Sequence, residues 1–196
     1  KLDILFYPDI GMSPTTYFLA LSRFAPVQIA SWGHPETTGI DTIDYFLSSA
    51  LFELNNAKKK YSERLIQLSQ FPLYYNPPFV QSKSVLKNRS HFNFPKKKRL
   101  YGCAQTLFKL HPEFDSIFAK ILNQDIDGNI VLIGGDGKAK FWIESLKKRW
   151  SKNFPILNEK VLFTKKLSLL EFISLCNCVD VLLDPFHFGG GNTFLE

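Results

Sequence analysis

The sequence predicts an α/β protein with parallel sheets, arranged in two successive parts. Three observations carry this reading. Short apolar, β-prone runs recur along the chain, and in the second half they alternate regularly with helical patterns. Glycine- or proline-rich breaks follow several of the runs, as loops at strand ends do. Strands alternating with helices imply a parallel sheet covered on both faces.

Taken in order, residues 3–7 (DILFY) form a first strand stopped by Pro8, and 15–23 a helix closed by Ala25-Pro26. Residues 27–32 form a second strand that breaks at Gly33-His34-Pro35, with the polar loop Glu36-Thr37-Thr38-Gly39 after it. A third strand covers 44–48, a helical turn 58–63 and a short strand 65–68. Residues 71–95 hold Pro72, Pro77, Pro78 and Pro95 with no periodicity, and read as a linker or irregular crossover rich in aromatic residues. Then come a strand at 99–104 and a helix with Pro112 at its first position, capped by His111. A strand at 129–133, a plain turn at Gly134-Gly135-Asp136-Gly137 and an amphipathic helix at 138–150 follow. The last elements are a strand at 160–163, a helix from the capping box Ser168-x-x-Glu171 to about Cys176, and an apolar strand at 179–183. The expected division is 1–70, a linker at 71–98, and 99–196. The chain opens directly on a strand and ends within a helical turn, so a piece of a longer protein is expected.

The composition fits a globular α/β protein and excludes disorder, with 45% hydrophobic and 21% charged residues in 196. No run approaches the ~18 apolar residues of a membrane span, and no signal-peptide pattern opens the chain. Cys103, Cys176 and Cys178 make neither a disulfide framework nor a zinc knuckle, which points to a reducing, cytoplasmic setting. The net charge of +6 is local: from Arg64 to Pro112 there are nine basic residues and no acid, and the remainder carries 15 basic against 18 acidic residues. That pattern fits a local anion site or a solvated linker. Lys96-Lys97-Lys98-Arg99 lacks interleaved aromatic residues, so no nucleic-acid partner is expected.

The richest segment is VDVLLDPFHFGGGNTFLE. A strand end, three glycines and a helix start at Asn192 or Thr193 make a phosphate or diphosphate cradle, because glycines let backbone N–H groups approach an anion. The plain alternative is a flexible loop. Lys109 leaves the same sheet edge; it reads either as an ordinary surface lysine or as the cation that neutralises a leaving diphosphate. His34 reads either as a loop histidine or as an acid–base or donor group for a substrate oxygen. No metal ligands are expected from the spacing of the chain's cysteines, histidines and acids.

Four segments then resemble one family: residues 7–49 (YPDIGMSPTTYFLALSRFAPVQIASWGHPETTGIDTIDYFLSS), YSERLIQL, LFKLHPEF and VDVLLDPFHFGGGNTFLE. They look like the catalytic region of protein O-linked N-acetylglucosamine transferases, in their bacterial, SPINDLY-like branch. The resemblance implies a GT-B type glycosyltransferase with two Rossmann-like lobes and a metal-independent, inverting reaction that needs no cofactor. The implied donor is UDP-GlcNAc or a related nucleotide sugar, and the acceptor a protein Ser or Thr. Lys109 and Thr106 match positions that face the diphosphate; animal members carry Gln where Thr106 stands, so Gln105 is the alternative there. Gly190, Gly191, Asn192 and Thr193 match the loop that holds phosphate and base, Glu196 the acid that binds ribose, and Leu167 the loop that reads the base. Gly33, His34, Pro35, Thr37 and Thr38 match a loop of the other lobe, on the side of donor sugar and acceptor. Tetratricopeptide repeats are expected elsewhere in the full protein. Protein N-glucosyl transfer and O-fucosyl transfer are the rival activities, and a non-catalytic nucleotide-sugar-binding module the rival of another class.

Overall fold

The structure is a computed structural model that describes residues 1–72, 74–76 and 85–191. It divides into two compact units, Lys1–Tyr74 and Tyr75–Glu196, each built on a four-stranded parallel sheet. Among the described residues no helix is long and apolar enough to cross a membrane.

In the first unit β1 (Ile4–Tyr7), β2 (Val27–Ser31), β3 (Tyr45–Ser49) and β4 (Arg64–Leu68) lie in chain order across the sheet. The helix α1 (Pro14–Ala20) starts with proline in its first turn after an extended Ser13. It stops three residues earlier than the sequence suggests. Arg23 lies past its end, where its guanidinium grips both carboxylate oxygens of Asp44 at 2.9 and 3.0 Å. Asp44 also accepts the Gln28 N–H at 2.8 Å, so one carboxylate ties the starts of β2 and β3 together. Tyr7, Ile10, Ala20, Ala30, Ile40 and Phe46 form the core; Ala20 and Ala30 are completely buried, and their small size brings α1 close to the sheet.

The second unit holds β5 (Arg99–Cys103), α2 (Pro112–Gln124), β6 (Gly128–Leu132), α3 (Lys138–Asn153), α4 (Pro155–Lys160), β7 (Val161–Phe163), α5 (Leu169–Cys178) and β8 (Val181–Leu182). The strand order is β7-β6-β5-β8. Successive strand residues point to opposite faces, and both faces are covered. Ile130 and Leu132 join Phe114, Phe118, Leu146, Trp150 and Leu157 from α2, α3 and α4 on one side. Val131 and Leu100 meet Leu175 of α5 and Phe94 on the other.

In the second unit two elements depart most from the sequence reading. Residues 155–160 form α4, with proline in its first turn, so Lys160 ends a helix and does not open a strand. The last strand shrinks to two residues because α5 runs on to Cys178 and Val179 caps it.

Several of the clustered positive charges are paired inside the second unit. Arg89 donates to the Asp180 carboxylate at 2.8 Å and to the carbonyls of Cys178 and Lys98. Lys98 pairs with Asp127 at 2.7 Å, and Arg99 with Asp125. Phe94 is buried in this unit's core, so the described part of the crossover is packed.

Candidate functional site

The strand order of the second unit reverses beside β5: β6 and β7 build outward on one side, and β8 returns to the other. In open parallel sheets ligands bind in the crevice at such a switch, beyond the carboxyl ends of the strands. The loops leaving β5 and β8 flank it, and they carry most of the residues that the sequence singles out.

After β5 the chain passes Ala104 and Gln105, both buried, and tightens into a short 3-10 turn, Leu107–Lys109. Thr106 is exposed at the head of that turn. Gln105 is only 4% exposed, yet its amide Nε2 has no hydrogen-bond partner among the described residues. Beneath it burial pushes the Cys103 thiol up to about 12, which leaves that cysteine inert.

After β8 the chain buries Pro185 and sets Phe186 edge-on to Phe114 of α2, with centroids 5.0 Å apart. Phe188 then lies under the Lys109 ammonium, 4.2 Å from Nζ to ring centroid. That cation–π contact joins the two loops directly. Asp184 braces the glycines: its Oδ1 accepts the Gly190 N–H at 2.9 Å. A Cβ on Gly189 would stand 3.0 Å from both Asp184 carboxylate oxygens, a tight contact that the carboxylate would have to yield to by a few tenths of an ångström. Around Gly191 a Cβ would meet no atom of the described residues within 4 Å. Asn192, Thr193 and Glu196 lie outside the described residues.

The same edge gathers a group that spacing along the chain does not single out. His111 caps α2, its Nδ1 accepting the Glu113 N–H at 3.3 Å. Glu113 faces His187 at 2.9 Å, and the two imidazole centroids are 4.3 Å apart. The hydrogen bond from His187 holds the Glu113 carboxyl below the usual carboxylate range.

Leu167 lies at the far side of the sheet, lining a cleft of about 490 Å³ with Thr164, Lys165, Lys166 and the segment His91–Phe94. Ser168 and Glu171 form the expected reciprocal cap of α5. The Ser168 N–H, then His91 and the Ser168 hydroxyl, hold Glu171 down to about 2.

In the first unit, Gly33 is packed so tightly on the β1–α1 loop that a Cβ would fall 2.2 Å from the Pro8 carbonyl oxygen. His34 covers Gly11 of that same loop. Pro35 and Thr37 line a cleft of about 630 Å³ with Trp32, which stacks on Phe52 at 4.7 Å. Thr37 and Thr38 both turn their hydroxyls to Glu63. Burial alone would raise the Glu63 carboxyl, but the Thr38 and Thr37 donors outweigh it and the net shift is downward. Sequence reasoning missed Glu63 and Asp184 as organisers of their loops; the acidic residue just before β4 and the one just after β8 were the available signals.

No protein-family model matches the chain. In sequence it is similar to the probable UDP-N-acetylglucosamine–peptide N-acetylglucosaminyltransferase SPINDLY of Solanum lycopersicum, at 28% identity over 187 residues covering 89% of this chain and 18% of that protein. It is also similar to the UDP-glucose:protein N-beta-glucosyltransferase of Actinobacillus pleuropneumoniae serotype 5b, at 26% identity over 98% of this chain and 30% of that protein. A mutant O-GlcNAc transferase from Thermobaculum terrenum shares the fold with a TM-score of 0.81 at 23% identity, over 98% of this chain and 35% of that one. The chain thus spans less than a third of the length of these two curated relatives. The likeness extends to plant SPINDLY proteins and bacterial N-glucosyltransferases alike, and so is not specific to one bacterial branch. The chain has the α/β fold of a GT-B glycosyltransferase, and its relatives are glycosyltransferases that act on proteins.

Proposed function

We propose that this chain carries the donor-binding part of a protein glycosyltransferase, which moves N-acetylglucosamine from UDP-GlcNAc to a Ser or Thr hydroxyl with inversion and without a metal. The observation that carries the reading is the meeting of two loops at the switch point, with Lys109 on one and the Asp184-braced glycines on the other. An anion in that crevice meets the Lys109 ammonium. Gln105 also holds a buried amide donor with no partner among the described residues. Breaking the bond between the sugar's anomeric carbon and the diphosphate leaves the electron pair on the phosphate oxygen, while the acceptor oxygen forms the new bond and gives up its proton. Lys109 is the cation for that leaving charge. The base that takes the proton is not assigned.

Thr106, Gly190, Gly191, Asn192, Thr193 and Glu196 are assigned with it to the nucleotide, and Leu167 to the base. The loop of Gly33, His34, Pro35, Thr37 and Thr38 is assigned to the sugar and acceptor. Tetratricopeptide repeats and a cytoplasmic setting belong to the same reading. A second reading, glucosyl transfer from UDP-glucose to asparagine, is favoured by the Actinobacillus relative, which aligns over 98% of this chain. The deciding experiment incubates the protein carrying this sequence with acceptor proteins and UDP-GlcNAc, UDP-glucose or GDP-fucose in turn, and reads the modified residues by mass spectrometry. N-acetylhexosamine on Ser or Thr supports the first reading; hexose on Asn replaces it with the second. No transfer from any donor, with UDP binding retained, would point to a non-catalytic nucleotide-sugar-binding module.

A further inference from the structure

His111, Glu113 and His187 each offer one ligand atom, and the three atoms lie within 4.8 Å of one another at the exposed edge of the second sheet. We propose that they form a three-ligand site for a divalent transition cation of the zinc class, which staples the loop after β8 to the start of α2. Two imidazoles and a carboxylate are a donor set such a cation takes readily, with one position left for water. Tetrahedral zinc wants its ligand atoms roughly 3.3 Å apart. The His187–Glu113 pair already stands at 2.9 Å, and exposed side chains can close the rest by rotation. Coordination through either ring nitrogen ends the acceptor role of His111 toward the Glu113 N–H, because Nδ1 then either ligates or carries the ring proton; the bond given up is a long one of 3.3 Å. His187 is held at φ +75°, the left-handed region that favours glycine, yet it carries the imidazole that faces Glu113. The site fixes the loop that bears Phe188 and the glycines. It takes no part in breaking the sugar–phosphate bond, so it goes beyond the proposed transfer and stands or falls separately from it.

The test titrates Zn²⁺, and Co²⁺ as its coloured substitute, into the protein carrying this sequence with Cys176 and Cys178 changed to serine, which removes competing thiolates. The expected result is one tightly bound equivalent and a visible Co²⁺ spectrum of a nitrogen- and oxygen-ligated ion. His187→Gly suits the positive φ, so the loop keeps its backbone while losing a ligand. Glu113→Gln removes the carboxylate ligand, while its amide oxygen can still accept from His187. Each substitution should weaken zinc binding at least tenfold while the near-ultraviolet circular dichroism stays native. Zinc affinity unchanged in either variant, or the absence of that equivalent in the parent, overturns the site.

Discussion

Glu63 and Thr38 are joined twice: the Thr38 N–H donates to Glu63 Oε1 at 2.7 Å, and the Thr38 hydroxyl donates to the same oxygen. The second carboxylate oxygen takes the Thr37 hydroxyl at 2.7 Å. A single acid just before β4 therefore orders the loop after β2. Since the Thr37 and Thr38 hydroxyls are engaged with it, whatever that loop presents to a ligand is presented on a frame that Glu63 holds.

Replacing Glu63 by Gln should therefore cost the first unit about 2 kcal/mol, the scale of hydrogen bonds to a charged group in a buried setting. The pH dependence follows from the downward shift. A carboxyl whose folded pKa lies below its ordinary 4.5 contributes fully above that value and loses its contribution as pH falls through the lower folded pKa. Thermal melts of parent and Glu63→Gln between acid and neutral pH should diverge above pH 4.5 and converge below it. Parallel curves across the whole range would remove Glu63 from this role.

Gly33→Ala should destabilise the same unit more selectively. Its Cβ would sit 2.2 Å from a backbone oxygen, Pro8 O, which no rotamer change can relieve. The β1–α1 loop must move, at a cost on the order of 2–3 kcal/mol. Urea melts with an unchanged m-value and a lowered midpoint would register it; a midpoint equal to the parent's would mean the two loops are not in contact in solution.

Much of this arrangement was legible in the sequence, for physical reasons that also mark the limits. Strand–helix alternation is a local signal, and so are Pro112 at the start of α2 and the Ser168–Glu171 box, which the structure reproduces. The residues 155–160 were not legible as helix, since six residues give too few turns for a periodicity to register. The nine clustered positive charges read from sequence as solvated or anion-seeking. Three of them, Arg89, Lys98 and Arg99, are in fact neutralised by Asp180, Asp127 and Asp125, 26 to 91 residues away, a distance no window reaches. The same holds for the two loops at the switch point. Lys109 and the glycines were visible as residue types at strand ends, whereas the contact of Lys109 with Phe188 depends on β8 returning beside β5.

Asp184 should behave as a positioning residue for the glycine loop. Asp184→Asn keeps an acceptor oxygen for the Gly190 N–H, and Asp184→Ala does not. UDP affinity, read by calorimetry, should fall roughly tenfold in the alanine variant, about the value of one lost hydrogen bond in a site. The asparagine variant should recover most of it. Equal losses in both would mean that the negative charge matters and not the bond to Gly190.

Lys109 is the sharper test of the proposed chemistry. Departure of the nucleotide moves negative charge onto the diphosphate, and stabilising that charge is worth most where the cation is already in place. Lys109 makes no ion pair with any described residue and rests against an aromatic face, so its ammonium is available to an incoming anion. Lys109→Ala should lower kcat by a factor of about 10² to 10³, the range seen on losing an oxyanion donor. UDP affinity should fall less, because the glycine loop braced by Asp184 remains. Lys109→Arg should restore activity only in part, since a planar fork does not reproduce a compact ammonium set on the Phe188 ring. Turnover of the parent should survive EDTA, which separates the role of Lys109 from any cation held at His111, Glu113 and His187. A Lys109→Ala enzyme with near-normal kcat, or turnover that requires an added divalent ion, would show that the leaving charge is stabilised by some other group.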